Sequence, residues 1–281
     1  MHLDANGTRL WFDVDGPAVV PDGSQMREKP TIVLVHGGPG SYDHSYFKPH
    51  FSRLAGQAQV VYLDLRGHGR SEWGDPAVWS FEICADDVRA FCDALGIDHP
   101  FVYGHSMGGF VAMLYGARHP GHAAALVLQS TNARFDLARL VDGCRRFGDE
   151  EVARIAERSY GGEQVSEEEW TRVFAVFGPN VPTQEELGRR ISNPAVGEHG
   201  MDLLRKFDVV GELAKIECPT LVCVGALDAV TPIAAAQEIM DALPPGLGQL
   251  EVIDGAGHFT WLDAPDRYWA MLESFISSVE A

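Results

Sequence analysis

The sequence has little that would bind a membrane or a nucleic acid. No apolar run among its 281 residues approaches the ~18 residues that are needed to cross a bilayer. Basic residues are scarce, because 22 Lys and Arg stand against 40 Asp and Glu, which gives a formal net charge of −18. Such a field opposes phosphate backbones and anionic lipid. We therefore expect no nucleic acid and no membrane as partner, and a small-molecule substrate, neutral or cationic, instead.

Cysteine is sparse as well, with five residues and no Cys-x-x-Cys pair. An odd number of scattered cysteines predicts neither a disulfide framework nor a zinc site. We expect buried free thiols at Cys84, Cys92, Cys144, Cys218 and Cys223. No motif requires a metal ion or a cofactor, so we expect neither.

The first residues, MHLDANGTRLWFDVDG, lack a basic segment followed by an apolar one, which is the pattern of an export signal. They predict instead a short hairpin that turns at Asn6–Gly7. We therefore expect a cytoplasmic protein.

The first half of the chain alternates short apolar runs with helical patterns. Runs that are too short for helices and apolar on both faces are typical of strands in a parallel sheet that is covered on both sides. These runs are 31–38, 59–67, 100–106 and 124–130, and helical patterns at 44–55, 81–95 and 107–118 separate them. The alternation predicts βαβ units and an α/β fold with a mostly parallel sheet flanked by helices.

The alternation stops near residue 131 and resumes near residue 216. The intervening segment is polar and helix-rich, with glycine and proline breakers between its helices. Beyond it, strands are predicted at 218–228 and 249–255 and helices at 232–243 and 265–279. We therefore predict a core domain made of residues 1–130 and 216–281, with residues 131–215 inserted between two strands as a helical cap.

One serine stands in the setting of a nucleophile. Gly104-His105-Ser106-Met107-Gly108 matches G-x-S-x-G, with a predicted strand before it and a predicted helix after it. The serine of this motif sits on a sharp, strained turn, and the glycines allow the neighbouring backbone to pack closely. The alternative is that Ser106 only caps the helix that follows.

A serine nucleophile needs a base and an acid, and both follow it along the chain in enzymes with this turn. Of the histidines after Ser106, only His258 follows a late strand, in the glycine-rich stretch DGAGHFTW. For the acid, Asp228 ends the preceding strand in GALDAVTP and is the first candidate. Asp254 is the alternative, although it would share one loop with the base.

Acyl transfer also requires donors for the oxyanion, preferably backbone N–H groups. The amide of Met107 is one candidate, because it lies at the start of the helix after Ser106. The second candidate is Gly38 in HGGPG (36–40), where the first long apolar run ends. A plain turn is the alternative interpretation of HGGPG.

Taken in order, these motifs resemble the α/β-hydrolase superfamily over nearly the whole chain. The elements are HGGPG, DLRGHGRS (64–71), GHSMGG (104–109), a helical insertion, GALD (225–228) and GAGH (255–258). HGGPG together with D-x-R-G-x-G-x-S most resembles the prolyl iminopeptidase branch. The resemblance implies that Gly38 and Met107 form the oxyanion hole and that residues 131–215 form a cap.

One position separates this chain from those aminopeptidases. They typically carry tryptophan directly after the nucleophile, whereas Met107 stands here and GHSMGG is similar to many esterases and lactonases. A cap that holds the substrate amine also needs acidic residues, for which Glu185, Glu186 and Glu198 are candidates, although charges on polar helices usually face solvent.

The function that we expect is a metal-free serine hydrolase for esters or lactones of small, fairly apolar molecules. The first alternative is an aminopeptidase that releases N-terminal proline, and a carbon–carbon bond hydrolase or perhydrolase could use the same residues. A hydrolase-fold receptor that binds a small molecule with little turnover is the alternative outside enzymes. We expect a monomer or a homodimer.

Overall fold

The computed structural model describes residues 1–280, for Glu280 the backbone alone. Its strands are β1 (His2–Ala5), β2 (Thr8–Asp15), β3 (Val19–Asp22), β4 (Gln25–Glu28), β5 (Thr31–Val35), β6 (Gln59–Asp64), β7 (Phe101–His105), β8 (Ala125–Gln129), β9 (Thr220–Gly225) and β10 (Gly248–Ile253). Its α-helices are α1 (Lys48–Phe51), α2 (Phe81–Leu95), α3 (Met107–Arg118), α4 (Leu137–Phe147), α5 (Glu150–Gly161), α6 (Glu167–Phe174), α7 (Gln184–Gly188), α8 (Pro194–Leu204), α9 (Ile233–Ala242), α10 (Thr260–Asp263) and α11 (Pro265–Glu280). Short 3₁₀ helices lie at His44–Tyr46, Ser52–Gly56, Pro76–Val78 and Val210–Lys215.

Within residues 1–280, eight strands form one sheet in the order β1-β2-β6-β5-β7-β8-β9-β10. From β6 to β10 all neighbours are parallel, whereas β1 and β2 form an antiparallel hairpin against β6. The α/β-hydrolase fold with a mostly parallel sheet and the hairpin at Asn6–Gly7 are therefore confirmed. Because the strands are parallel, the ends of β5, β7 and β9 meet at one edge, where HGGPG, Ser106 and Asp228 follow them.

The two faces of the sheet are buried in two hydrophobic clusters. Val33 and Val35 belong to the cluster that includes side chains of α2, α3 and α9. Ile32 and Leu34, which alternate with them along β5, belong to the cluster that includes Phe51 and residues of α11. This burial on both faces explains why the strands are apolar throughout rather than alternating. All five cysteines are buried and free, as expected.

The helices α4 to α8 lie along the chain between β8 and β9, which pair directly with each other. The ends of this helical segment are joined by backbone hydrogen bonds, from Phe135 N to Phe207 O at 2.9 Å and from Val209 N to Ala133 O at 2.8 Å. The closure suits an insertion between two strands of one sheet. The division at residues 131 and 215 stays a proposal.

The helical segment also contacts the HGGPG loop through backbone. Asn193 N donates to Gly40 O at 2.8 Å, and a Cβ on Gly40 would lie 2.5 Å from Asn193 O. Gly40 has a φ of +65°, so both its conformation and this close approach favour glycine.

Some elements differ from the sequence-based expectation. The helix expected at 44–55 is broken into two 3₁₀ turns around the four-residue α1, which has Pro49 in its first turn. The hairpin β3–β4 was not expected, and most of its residues are exposed, so it has no apolar alternation. No helix within residues 1–280 is both long and apolar enough to cross a membrane.

Candidate active site

Ser106 lies on the turn between β7 and α3 with a φ of +55° and a ψ of −120°. A Cβ on Gly104 would collide with the Gly108 carbonyl, and one on Gly108 with the carbonyl of Val35. The two glycines of the motif therefore allow the turn to press against α3 and β5. The Ser106 side chain makes no helix-capping hydrogen bond, which argues against the interpretation as a simple cap.

Asp228 and His258 meet at the same edge of the sheet. Their side chains join through His258 Nδ1 and Asp228 Oδ2 at 2.9 Å, and both are almost completely buried. The carboxylate can only accept, so Nδ1–H donates and Nε2 of the imidazole stays available to a reacting group. Asp254, the alternative acid, is exposed on the turn after β10. Ser106 and His258 line one cavity.

Thr231, which sequence reasoning missed, helps to hold Asp228 in place. Its Oγ1 donates to Asp228 Oδ2 at 2.7 Å, and its backbone N donates to Oδ1 at 2.9 Å. Val230 N also donates to Oδ1, at 2.9 Å. The signal was the D-x-x-T spacing, because an Asp side chain commonly accepts from backbone N–H groups two and three residues later.

The HGGPG loop lies against the start of α3. A Cβ on Gly38 would be 3.1 Å from both Sδ and Cε of Met107, so the loop and the turn are in contact there. The amide of Gly37 donates a hydrogen bond to the hydroxyl of Tyr46, at 2.9 Å. Among residues 1–280, the amides of Gly38 and Met107 donate no hydrogen bond. The two expected oxyanion donors therefore have no partner among these residues, and Gly38 lies against the side chain of Met107.

A buried chain of hydrogen bonds connects this loop to the backbone of His258. Tyr46 O–H donates to His105 Nδ1 at 2.9 Å, and His105 Nε2–H donates to the carbonyl oxygen of His258 at 3.1 Å. The directions follow because a carbonyl only accepts. Complete burial and the neighbouring His258 lower the pKa of His105 well below its usual range, so the ring stays neutral. Tyr46 was missed because nothing in the sequence links it to a position 59 residues later.

The loop of His258 also contacts the helical segment. His258 N donates to the carbonyl oxygen of Phe177 at 2.6 Å. A Cβ on Gly178 would lie 3.0 Å from Gly257 Cα, so a pair of glycines allows the two backbones to approach. The helical segment therefore contributes directly to the position of the imidazole.

The cavity in front of Ser106 has a volume of about 330 Å³. Much of its wall is apolar or aromatic, from the helical segment (Phe135, Tyr160, Trp170, Phe177, Met201 and Leu204). No Asp or Glu in residues 1–280 lines it, and its one Lys or Arg is Arg190.

The three acidic residues considered for an amine lie elsewhere. Glu185 is exposed and pairs with Arg189, and Glu198 is exposed. Glu186 caps α7 and contacts His50.

Asp43, His44 and Asp64 form a buried cluster whose nitrogen and carboxylate atoms could in principle bind a metal ion. Each carboxylate oxygen already accepts from the protein, however: Asp43 from Ser45 N and Ile191 N, and Asp64 from His44 and Arg70 N. Burial alone raises the pKa of Asp64, but hydrogen bonds and charge from His44 outweigh it and lower the pKa overall. The cluster therefore connects β6 to the loop before α1.

The sheet, the serine turn and the buried acid–imidazole pair at its edge are the architecture of α/β hydrolases. The family model described as alpha/beta hydrolase fold matches residues 30–265, and the chain belongs to that family.

The chain is 25% identical over 284 residues to 3-oxoadipate enol-lactonase 1 of Acinetobacter baylyi, with 100% of this chain and 97% of that protein covered. It is 23% identical over 270 residues to the proline iminopeptidase of Heyndrickxia coagulans, with 88% and 91% covered. The crystal structure of VinJ superposes with a TM-score of 0.79 at 22% identity over 99% of this chain and 98% of that one, which shows the fold. The protein is therefore a hydrolase.

Proposed function

We propose that the protein is a serine hydrolase that cleaves carboxylic esters or lactones of small molecules through an acyl-enzyme on Ser106. The observation that carries the proposal is the arrangement around one cavity: Ser106 on a strained turn, and His258 with Nδ1 bonded to Asp228.

In this mechanism His258 Nε2 takes the proton of the Ser106 hydroxyl as the oxygen attacks the substrate carbonyl. Asp228 fixes the tautomer of His258 and stabilises the imidazolium that forms. The amides of Gly38 and Met107 donate to the oxyanion. The protonated imidazole then gives its proton to the leaving alcohol oxygen, and a water molecule activated by the same base releases the acid from Ser106.

Esters and lactones are favoured over peptides with a free amine by the charge of the cavity. An ammonium group moved into a partly apolar pocket needs an opposite charge beside it, and no carboxylate in residues 1–280 lines this one. The relative named 3-oxoadipate enol-lactonase supports the same choice. Residues 131–215 would act as the cap, and the cytoplasmic location and the monomeric or homodimeric state stay predictions.

The test compares the wild type with Ser106→Ala on p-nitrophenyl esters, homoserine lactones and proline p-nitroanilide. We expect short-chain esters to be hydrolysed, with proline p-nitroanilide cleaved at least ~100-fold less efficiently in kcat/KM, and Ser106→Ala to lose a factor of order 10⁴. A serine-directed phosphonate should label the wild type only. The reverse ranking would favour the aminopeptidase, and turnover far below ~1 per second on every substrate would favour the receptor.

A further inference from the structure

Arg190 lies in the wall of the cavity that contains Ser106, between α7 and α8. The protein as a whole carries 40 acidic against 22 basic residues, yet the lining of this cavity from residues 1–280 reverses the balance, with one arginine and no carboxylate. The charge of the cavity lining is therefore opposite in sign to that of the whole chain, which bears on the ligands that the cavity can bind.

The guanidinium of Arg190 makes no ion pair and donates no hydrogen bond within the described part of the chain. Its neighbour Arg189, in contrast, pairs with Glu185. Arginine can donate five hydrogen bonds in a planar fork, a geometry that matches a carboxylate. Arg190 thus has an anion-binding group that is unpaired among residues 1–280, and it lines the same cavity as Ser106.

The contacts that position Arg190 do not neutralise the charge of its guanidinium. Cζ lies 5.5 Å from the centroid of the Tyr42 ring, which is a cation–π arrangement. The next residue, Ile191, donates from its backbone N to Asp43 Oδ2 at 2.8 Å. A ring and a backbone bond hold the segment, so the charge of the half-buried guanidinium remains for a ligand.

Two further donors line the same cavity. The hydroxyls of Tyr42 and Tyr160 make no hydrogen bond to other residues among positions 1–280. Burial raises the pKa of Tyr42 to about 12 and that of Tyr160 further, so both keep their protons and can donate. Both hydroxyls therefore offer donors to an anion in the cavity.

We propose that Arg190, together with the hydroxyls of Tyr42 and Tyr160, forms a subsite for a carboxylate that the substrate carries in addition to its scissile ester or lactone. This inference rests on the proposed function and narrows its substrate class to carboxylate-bearing esters and lactones. The net negative charge of the surface does not oppose it, because surface charges are screened over about 10 Å at ordinary salt, whereas Arg190 lines the cavity itself.

The test compares mono-p-nitrophenyl succinate, glutarate and adipate with p-nitrophenyl butyrate, pentanoate and hexanoate, which have the same chain lengths without the charge. For each length the ratio of kcat/KM, anionic over neutral ester, is measured in wild type, Arg190→Gln and Arg190→Lys. Arg189→Gln is the control, because it removes the same charge from an exposed neighbouring position.

At the best chain length we expect the ratio to fall at least tenfold in Arg190→Gln and less in Arg190→Lys, which keeps the charge without the fork. Arg189→Gln should stay within about twofold of wild type, since exposed ion pairs contribute little. Equal ratios in wild type and Arg190→Gln at all three lengths would overturn the subsite.

A binding measurement separates this inference from the proposed function. Titration calorimetry follows glutarate binding to Ser106→Ala and to Ser106→Ala/Arg190→Gln, which needs no turnover. If glutarate binds Ser106→Ala at least tenfold more tightly than Ser106→Ala/Arg190→Gln, the subsite is supported. If the wild type in that case hydrolyses no ester, only the serine esterase is refuted. Ester hydrolysis that needs Ser106, with glutarate binding equal in both variants, refutes the subsite alone.

Discussion

The imidazole of His105 donates from Nε2 to the carbonyl oxygen of His258, at 3.1 Å. The residue before the proposed nucleophile therefore holds the loop of the proposed base. On its other side His105 accepts from Tyr46, which in turn accepts from Gly37 N. One buried chain thus joins the HGGPG loop, the serine turn and the loop of the proposed base, and we expect Tyr46 to act as a positioning residue.

Changing Tyr46 to Phe removes the hydroxyl at the centre of this chain. Gly37 N and His105 Nδ1 would lose their partners while buried, so we expect a stability loss of about 2 kcal/mol. We also expect kcat to fall about tenfold with KM changed little, because the loop that carries Gly38 N loses an anchor. Urea unfolding and steady-state kinetics on a p-nitrophenyl ester measure both effects.

Tyr268→Phe is the matched control, since it removes another buried tyrosine hydroxyl, bonded to Tyr103 at 2.7 Å. It should lower stability and leave kcat close to the wild-type value. An equal loss of kcat in both variants would show that Tyr46 acts through general stability.

Thr231→Val removes the hydroxyl that donates to Asp228 Oδ2 and keeps the side-chain volume. Asp228 would retain its backbone donors, so we expect a moderate loss of about three- to tenfold in kcat/KM rather than inactivation. Thr220→Val, a buried threonine whose hydroxyl bonds the carbonyl of Cys218, should not change kcat/KM. If Thr231→Val keeps the wild-type kcat/KM, the Thr231 hydroxyl is not needed to position Asp228.

Gly108→Ala should prevent folding or destabilise the protein by more than about 3 kcal/mol. Its Cβ would collide with the carbonyl of Val35, at the end of β5, and with that of His36, which follows it; both are backbone atoms that are fixed by the sheet or lie next to it. Gly211→Ala is the comparison, because a Cβ there would meet no atom within 4 Å. Soluble yield and thermal melting distinguish the two, and a stable Gly108→Ala protein would contradict the packing described for the serine turn.

Stability should decrease as the pH falls below about 6.5. Burial lowers the pKa values of His36, His68 and His105 in the folded state, and that of His68 falls to about 3. Between the folded and unfolded pKa values the unfolded chain binds more protons, so the free energy of unfolding drops with decreasing pH. Each imidazole can contribute up to about 1.4 kcal/mol per pH unit.

Urea unfolding at pH 7.5, 6.5 and 5.5 measures this dependence. His68→Gln keeps an acceptor for Gly40 N, which donates to His68 Nε2 at 2.9 Å, but cannot titrate. In that variant the slope of the free energy of unfolding against pH, below pH 6.5, should therefore decrease by the amount that corresponds to about one proton. An unchanged slope would exclude His68 as a source of the dependence.

The core strands were predictable from sequence because burial on both faces leaves a local signal. Their ends were not, since the glycines of HGGPG and of the serine turn continue an apolar run after the chain has left the sheet. For this reason the run predicted at 31–38 was too long, because the strand itself ends at Val35. The hairpin β3–β4 is largely exposed, so hydrophobic patterning does not register it.

The residues of the candidate site also fall into those that the sequence predicts and those that it does not. Ser106, Asp228 and His258 could be selected as candidates because each stands in a motif at the end of a strand. Tyr46 and Arg190 could not, because their contacts depend on how separate loops meet in space. Arg190 in particular lies in a polar, helix-rich segment, where a charged residue usually faces solvent.

The hydrogen bond from His258 N to the carbonyl oxygen of Phe177 has a kinetic consequence. Phe177 also lines the cavity, so a displacement of residues 177 and 178 away from it would break the bond that holds the loop of His258. Movement of this part of the cavity wall and the position of the His258 imidazole would then be coupled. In a turnover that required this displacement, the return of residues 177 and 178 would re-form the bond to the loop of the proposed base, and that step can limit the rate when the chemistry itself is fast.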